Sequence, residues 1–439
     1  MCGTGNNLEI FEEILYHSEI TEKKETKGME TKERKPKHSS KTTVQKCNPF
    51  LITVLYGGVR AYCFLRGIRI KETNKLHGQP EGPAIVLCNH GSFIDFIYAG
   101  SMLLKCRPHF VVARLYFYHK WLALLLKKLG AFPKSMFAMD IESTKNSMKV
   151  LHSGEVLVMM PEARLSTAGR FEDIQKNTYS FLKKMAVPVY TIKLQGDYLA
   201  DPKWGSGIRR GARIEAELDT LFTAQQLNEL SVEQICQAVE ERLYYDEFQW
   251  LASHPDVHYH CKTLAEGLEN ILTTCPVCGQ KYTLSTKKND IFCKNCGHIT
   301  SLDDRYQFTG DFQFQNLSQW YDWQVQQLEE EIRKDPDYVL ESEVEFRLPG
   351  EGDSLTRHAG TGICRLDRTG LQYTGTKDGE ECQLQFPMES IYRLLFGAGE
   401  DFEIYRFQEI YYFRPKVLQS SVEWYMASRI LSDEAANDR

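Results

Sequence analysis

The sequence predicts an α/β fold: a mixed, largely parallel sheet flanked by helices, followed by a small cysteine module and a β-rich C-terminal domain. Three observations carry this expectation. Short apolar runs, "AIVLCN", "HFVVA", "EVLVMM" and "VPVYTIKL", alternate with amphipathic stretches, the pattern of strands covered by helices. Two Cys-x-x-Cys pairs lie close together after them. Beyond these, the turn signals "LPGEGD", "DRTG" and "TKDGEE" punctuate β-prone segments from Tyr338 to Pro415. At 439 residues the chain is too long for one ordinary core, so two or three domains are expected.

Taken in order, residues 1–48 read as a disordered basic tail, because 21–48 hold almost no apolar side chains. The α/β domain spans 49–255. It opens with "PFLITVLYGGVRAYCFLRGIRI", apolar but broken by Arg60, Arg66 and Arg69. Such a stretch suits lying on a membrane surface, or packing on the core, and does not suit crossing a bilayer. In "LYFYHKWLALLLKKLG", Lys120, Lys127 and Lys128 take one flank, and Trp121, Leu122, Leu124, Leu125 and Leu129 the remainder. That is the composition of an interfacial helix. "LSVEQICQAVEERLYYDEFQW" is expected to close the domain as one charged amphipathic helix. The cysteine module occupies 256–300. Residues 301–439 comprise the helix "LSQWYDWQVQQLEEEIRK", several strands and a helical "LQSSVEWYMASRIL". Short strands capped by one helix resemble a pleckstrin-homology-like module.

A hydrophobic fraction of 42% with 12% aromatics indicates sizeable cores. The net charge of −6 is unevenly spread: residues 301–439 hold 14 bases against 27 acids, and the first 300 hold 39 against 32. A basic front suits an anionic partner. No secretory signal and no uncharged apolar window of about 20 residues is present. Thirteen cysteines without an export signal argue for a reducing compartment. The expected location is cytoplasmic, peripheral on the inner face of the cell membrane.

"AIVLCNHGSFIDF" raises the chemical question, because a buried-looking strand ends in Asn89-His90-Gly91-Ser92 with Asp95 close behind. A strand running into a tight turn presents His90 at the sheet's C-terminal edge, where open α/β sheets place ligands. Asp95, in the first turn of the next helix, can reach back to one ring nitrogen. It then fixes the tautomer and leaves the other nitrogen as a proton acceptor. The spacing alone is weak evidence, since twelve histidines make such a pair common by chance.

Further blocks strengthen it. The Asn-His-x4-Asp block, "MPEARLSTAG" (Met160 to Gly169) and Val187-Pro188-Val189 resemble, in order, three motifs of the glycerolipid acyltransferase family, the 1-acyl-glycerol-3-phosphate acyltransferases. The resemblance covers roughly residues 50–250. Ala163 stands where the family has glycine, Leu165 takes the usual arginine position with Arg164 before it, and Lys134 in "GAFPKSM" replaces the second block's arginine. A variant third block, found in bacterial acyltransferases fused to acyl-carrier-protein synthetases, fits better and keeps an arginine.

The resemblance implies that His90, oriented by Asp95, deprotonates a lysophospholipid hydroxyl, which attacks an acyl thioester directly. Arg164, helped by Lys134, is expected to hold the acceptor phosphate, because guanidinium matches its geometry. Glu162 is expected to hold acceptor hydroxyls or to position Arg164, with a buried structural ion pair as the alternative. No Gly-x-Ser-x-Gly elbow is present; Cys88 and Ser92 are the residual nucleophiles, and Ser92 otherwise lines the substrate site. The donor is acyl-coenzyme A or acyl-carrier protein. The basic front half and the variant block favour the acidic carrier protein. No catalytic cofactor is expected. The rival reading is a non-catalytic lipid-binding scaffold that keeps the fold.

Cys275-x2-Cys278 and Cys293-x2-Cys296, fourteen residues apart, form a zinc-ribbon pattern. Four thiolates close a tetrahedral site, so the implied zinc is structural. His298 is a substitute ligand only where a cysteine fails. Zinc ribbons often touch nucleic acid, but the acidic C-terminal region argues against such a partner.

Overall fold

Seven strands build the first sheet in the computed structural model, which describes residues 44–437 apart from 77, 206, 351–354 and 407. The expected basic tail therefore falls almost wholly outside the described residues. The strands are β1 (Arg69–Asn74), β2 (Ala84–Cys88), β3 (His109–Ala113), β4 (Phe132–Lys134), β5 (Val156–Met159), β6 (Val189–Gln195) and β7 (Arg213–Phe222). Their order is β1-β7-β6-β2-β5-β3-β4. From β6 to β4 every pairing is parallel; β7 runs antiparallel to β6, and β1 runs parallel to β7. This is the mixed, largely parallel sheet expected.

β2 sits centrally and all five of its residues are buried, as an apolar run between two parallel neighbours requires. Helices α1 (Pro49–Leu65), α2 (Asp95–Met102), α3 (Lys120–Lys128), α4 (Ile141–His152), α5 (Lys176–Met185), α6 (Asp197–Ala200), α7 (Ala224–Glu229), α8 (Val232–Leu243) and α9 (Glu247–Ala252) accompany the sheet. The single helix expected over 230–250 is two. The Asp246 carboxylate accepts from the amides of Phe248 and Gln249, which starts α9 afresh after the break. Likewise 115–130 divides where His119 caps α3 through its ring nitrogen.

The cysteine module forms a three-stranded sheet of β8 (Leu284–Lys287), β9 (Asp290–Cys293) and β10 (Ile299–Ser301). Helix α10 (Leu317–Lys334) follows. An antiparallel meander of β11 (Leu340–Pro349), β12 (Thr356–Asp367), β13 (Gly370–Lys377) and β14 (Glu380–Pro387) comes next. A second meander, β15 (Leu395–Phe396), β16 (Phe402–Arg406) and β17 (Glu409–Pro415), joins it by pairing β17 with β11. Helix α11 (Ser421–Asn437) is the last described element and packs fully buried Trp424 flat on Phe402, ring centroids 4.2 Å apart.

These modules share one core. Buried apolar residues connect without a break from Ile52 through Trp250, Leu272 and Trp320 to Leu431. Calorimetry of the full chain is accordingly expected to give one cooperative transition, since a shared core couples the modules. Two resolved transitions would show that they unfold independently.

Candidate active site

Asn89 ends β2 by fastening it to β6. Its side-chain amide donates to the Leu194 carbonyl at 2.9 Å and its oxygen accepts from the Leu194 amide at 2.7 Å. The backbone of His90 is then held on both sides by the loop after β5. Its amide donates to Glu162 Oε1 at 2.9 Å, and its carbonyl accepts from the Ser166 amide at 3.0 Å. Gly91 lets the turn pass close to α6, because a Cβ there would lie 2.2 Å from Asp197 Oδ2.

The imidazole meets Asp95 as expected, with Nδ1 3.1 Å from Asp95 Oδ2. The same oxygen accepts from the Ser92 amide at 2.9 Å, which aims the carboxylate. Asp95 is fully buried, whereas the His90 side chain keeps 22% of its exposure. With Nδ1–H donated to Asp95, Nε2 carries the free lone pair. Burial, and then the Lys203 cation, lower the His90 pKa to about 4, so the ring is neutral near pH 7. Burial likewise raises both Asp95 and Asp197; the Asp95 charge raises Asp197 further, whereas the Ser92 amide and Asp197 itself pull Asp95 back down. Neither Asp197 oxygen has a hydrogen-bond partner. Asp95 accepts from a backbone amide and faces the imidazole, so Asp197 is the member that holds the proton.

Glu162 lies deeper than a residue expected to meet acceptor hydroxyls. It is wholly buried; Oε1 takes the His90 amide, and Oε2 takes the Glu172 amide at 2.8 Å. It forms no ion pair among the described residues, so the structural-pair alternative does not hold either; two backbone amides satisfy it instead. Burial pushes its carboxyl well above the usual range. Ser92 is also buried, and its hydroxyl donates to Asp201 Oδ2 at 3.3 Å. Cys88 is fully buried and burial pushes its thiol up, which leaves it inert as a nucleophile.

Arg164 is 7% exposed and its guanidinium lies 3.6 Å from the centroid of the Tyr425 ring. It donates to Thr167 Oγ1, and Nη1 is 3.9 Å from Glu172 Oε2. Lys134, at the end of β4, is half-buried beside Asp140, whose charge partly offsets the burial that lowers the lysine's pKa. It makes no hydrogen bond or ion pair with His90, Glu162 or Arg164 among the described residues. Ala163, in place of glycine, adopts φ +59°, and its amide closes a turn on Met160.

Residues far away in sequence complete the cluster. Ser318 on α10 donates to the Ala168 carbonyl at 2.6 Å, Arg170 pairs with Asp322 at 2.7 Å, and the Tyr425 hydroxyl donates to Glu172 at 3.1 Å. The loop that holds His90 is thus itself held by the C-terminal helices. No local sequence signal marks these partners.

The four expected cysteines converge: all four sulfurs lie within 4.8 Å of one another. The Cys275–Cys296 and Cys278–Cys293 separations are 3.8 and 3.7 Å. A tetrahedron with metal–sulfur bonds of about 2.3 Å has edges of about 3.8 Å, so the cluster fits a metal ion. Gly279 and Gly297, at φ +72° and +75°, turn each Cys-x-x-Cys loop back on its first cysteine. His298 stacks on Phe312 outside the set.

Residues 69–195 match the family described as Acyltransferase. A 1-acyl-sn-glycerol-3-phosphate acyltransferase of Bacillus subtilis (strain 168) is 28% identical over 111 residues, 25% of this chain and 50% of that protein. The chain thus spans about half the length of that curated relative. The crystal structure of the 1-acyl-sn-glycerophosphate acyltransferase PlsC from Thermotoga maritima aligns over 44% of this chain and 76% of its own, at 18% identity and a TM-score of 0.36.

Relieving the left-handed strain at Ala163 by Ala163→Gly is expected to stabilise the chain by roughly 0.5–1 kcal/mol, read from chemical denaturation. A destabilised variant would contradict that reading of the turn.

Proposed function

We propose, from the match of residues 69–195 to the acyltransferase family, that this chain is an O-acyltransferase acting on 1-acyl-glycerol-3-phosphate or a related lysophospholipid. The observation that carries the reading is the His90 ring, whose Nδ1 lies 3.1 Å from the buried Asp95 carboxylate, an arrangement that leaves Nε2 free, while burial lowers its pKa to about 4. Nε2 takes the proton of the acceptor hydroxyl as its oxygen attacks the thioester carbonyl. The tetrahedral intermediate collapses with loss of the thiolate, and the imidazolium returns the proton to sulfur. Ester and free thiol result. Asp95 stabilises the imidazolium as it forms, Glu162 positions the His90 backbone, and Arg164 binds the acceptor phosphate. The donor is an acyl thioester, and the basic first 300 residues favour an acidic carrier protein.

The lipid reaches the site from a membrane surface. α1 buries only Ile52 and Cys63, while Phe50, Phe64 and Leu65 are 76%, 83% and 77% exposed. Trp121 on α3 and Phe93, three residues after His90, are also exposed. The Asn48 amide donates to the Lys128 carbonyl, which ties the start of α1 to the end of α3. Exposed aromatic and aliphatic side chains beside lysines support an interfacial surface. No helix among the described residues is long and apolar enough to cross a membrane.

The four-cysteine cluster fits zinc. Cys275, Cys278, Cys293 and Cys296 would fill every coordination position, leaving none for water, so the ion supplies structure and no chemistry.

His90→Ala is expected to lower kcat by at least about a thousandfold with the melting temperature preserved, measured with a panel of lysolipids and both labelled donors. Near-normal turnover removes His90 from the mechanism. Replacing Phe64 and Trp121 together by serine is expected to weaken co-sedimentation with anionic vesicles by at least roughly tenfold, since each buried side chain contributes about 1.5–3 kcal/mol. Elemental analysis is expected to find about one zinc per chain, lost in Cys293→Ser; metal-free folded protein contradicts the site.

A further inference from the structure

We propose that the C-terminal module forms part of the acceptor site, where Lys203 and Arg164, packed over its Phe396 ring, make a two-cation seat for a phosphomonoester. The inference deepens the acyltransferase reading and rests on it for the identity of the acceptor.

Two residues carry positive charge to one aromatic ring. The Lys203 amine lies 3.7 Å from the Phe396 ring centroid and the Arg164 guanidinium 5.2 Å from it. Phe396 belongs to β15 of the C-terminal module and touches Tyr425 of α11, ring centroids 5.4 Å apart, while Arg164 lies over the Tyr425 ring as well. Each cation is two residues from a direct bond to the His90 turn. Ser166 donates its amide to the His90 carbonyl, and Asp201 accepts from the Ser92 hydroxyl. The seat therefore adjoins the imidazole.

Its cations are short of anionic partners. Arg164 is buried with Nε and Nη1 lacking hydrogen bonds, and Glu172 stands at the outer limit of ion pairing. Lys203 donates to the Phe396 carbonyl, and forms no ion pair among the described residues. Two cations thus share one distant carboxylate, Glu172, which the Arg164 charge keeps ionised, and an arriving dianion supplies the charge that the pair still lacks. A phosphomonoester offers the charge and three acceptor oxygens. The groups facing Lys203 are Arg164, Glu172 and His90 from the α/β domain, and Asp401 and Glu403 from the C-terminal module. Glu403, pushed up to about 8 by burial and then by Asp401, is largely uncharged at neutral pH and leaves Lys203 unneutralised.

Titration calorimetry of the full chain with sn-glycerol 3-phosphate and with inorganic phosphate tests the seat without turnover. Wild type is expected to bind glycerol 3-phosphate, and Lys203→Met to weaken that binding by at least about tenfold. Binding of inorganic phosphate alone, with no response to the glycerol ester, overturns the acceptor assignment. Burial and the Arg164 charge lower the Lys203 pKa to about 7, so its charge is present below that pH and lost above it. Across pH 7 affinity should fall more steeply in wild type than in Lys203→Arg, which stays charged while Glu403 ionises near pH 8 in both; parallel profiles overturn the role of Lys203. This pH comparison decides the matter even where Lys203→Met fails to fold. Phe396→Leu should raise KM for a phosphomonoester lysolipid more than for lysophosphatidylcholine, and an equal change in both overturns the seat. Wild-type affinity in Lys203→Met overturns the proposal. Phosphate binding by a wild-type chain that transfers no acyl group would instead sink the acyltransferase reading and leave the seat standing.

Discussion

One buried carboxylate sets the geometry on which the site depends. Glu162 has no solvent contact and no cationic partner; its two oxygens are satisfied by the backbone amides of His90 and Glu172. A carboxyl group in that position is costly unless both oxygens are bonded. The amides therefore have to stay where they are, and the His90 turn is pinned to the loop following β5. With Asn89 locked to β6 on the other flank, the imidazole is fixed by the sheet itself and not by its own loop.

That constraint extends into the second half of the chain. The loop that pins His90 is bonded by Ser318, Asp322 and Tyr425, which belong to helices more than 140 residues further on. The metal-fitting cysteine cluster lies between those helices and the α/β domain in sequence, and its residues Leu284 and Ile291 enter the common core. The accessory modules thus scaffold the loop that holds His90.

The sequence made the centre of the fold and the local half of the site legible. β2 and β5 are unbroken apolar runs, as strands buried between neighbours have to be, and β3 and β6 keep enough apolar residues to be recognised. β1, "RIKETN", is an exposed edge strand with no such run, β4 is three residues long, and β7 alternates buried Ile214, Ala216 and Leu218 with polar residues within a charged segment. His90 and Asp95 are five apart, and the two cysteine pairs carry their own spacing, so both were readable locally. Asp197, Lys203, Phe396 and Tyr425 reach the site only through sheet crossovers and module docking, which no short pattern encodes. Glu162 looked like a ligand-facing carboxylate beside an arginine; the turn at Ala163 sends the two side chains to different partners.

The central claim is that His90 is a neutral base with its lone pair on Nε2. Nitrogen-15 NMR of the full chain with labelled histidine, titrated with His90→Ala as the assignment control, tests it most directly. The account predicts an Nδ1–H tautomer at pH 7 that protonates only near pH 4. A ring that titrates at or above the ordinary value of about 6.5, or that carries its proton on Nε2, would contradict it.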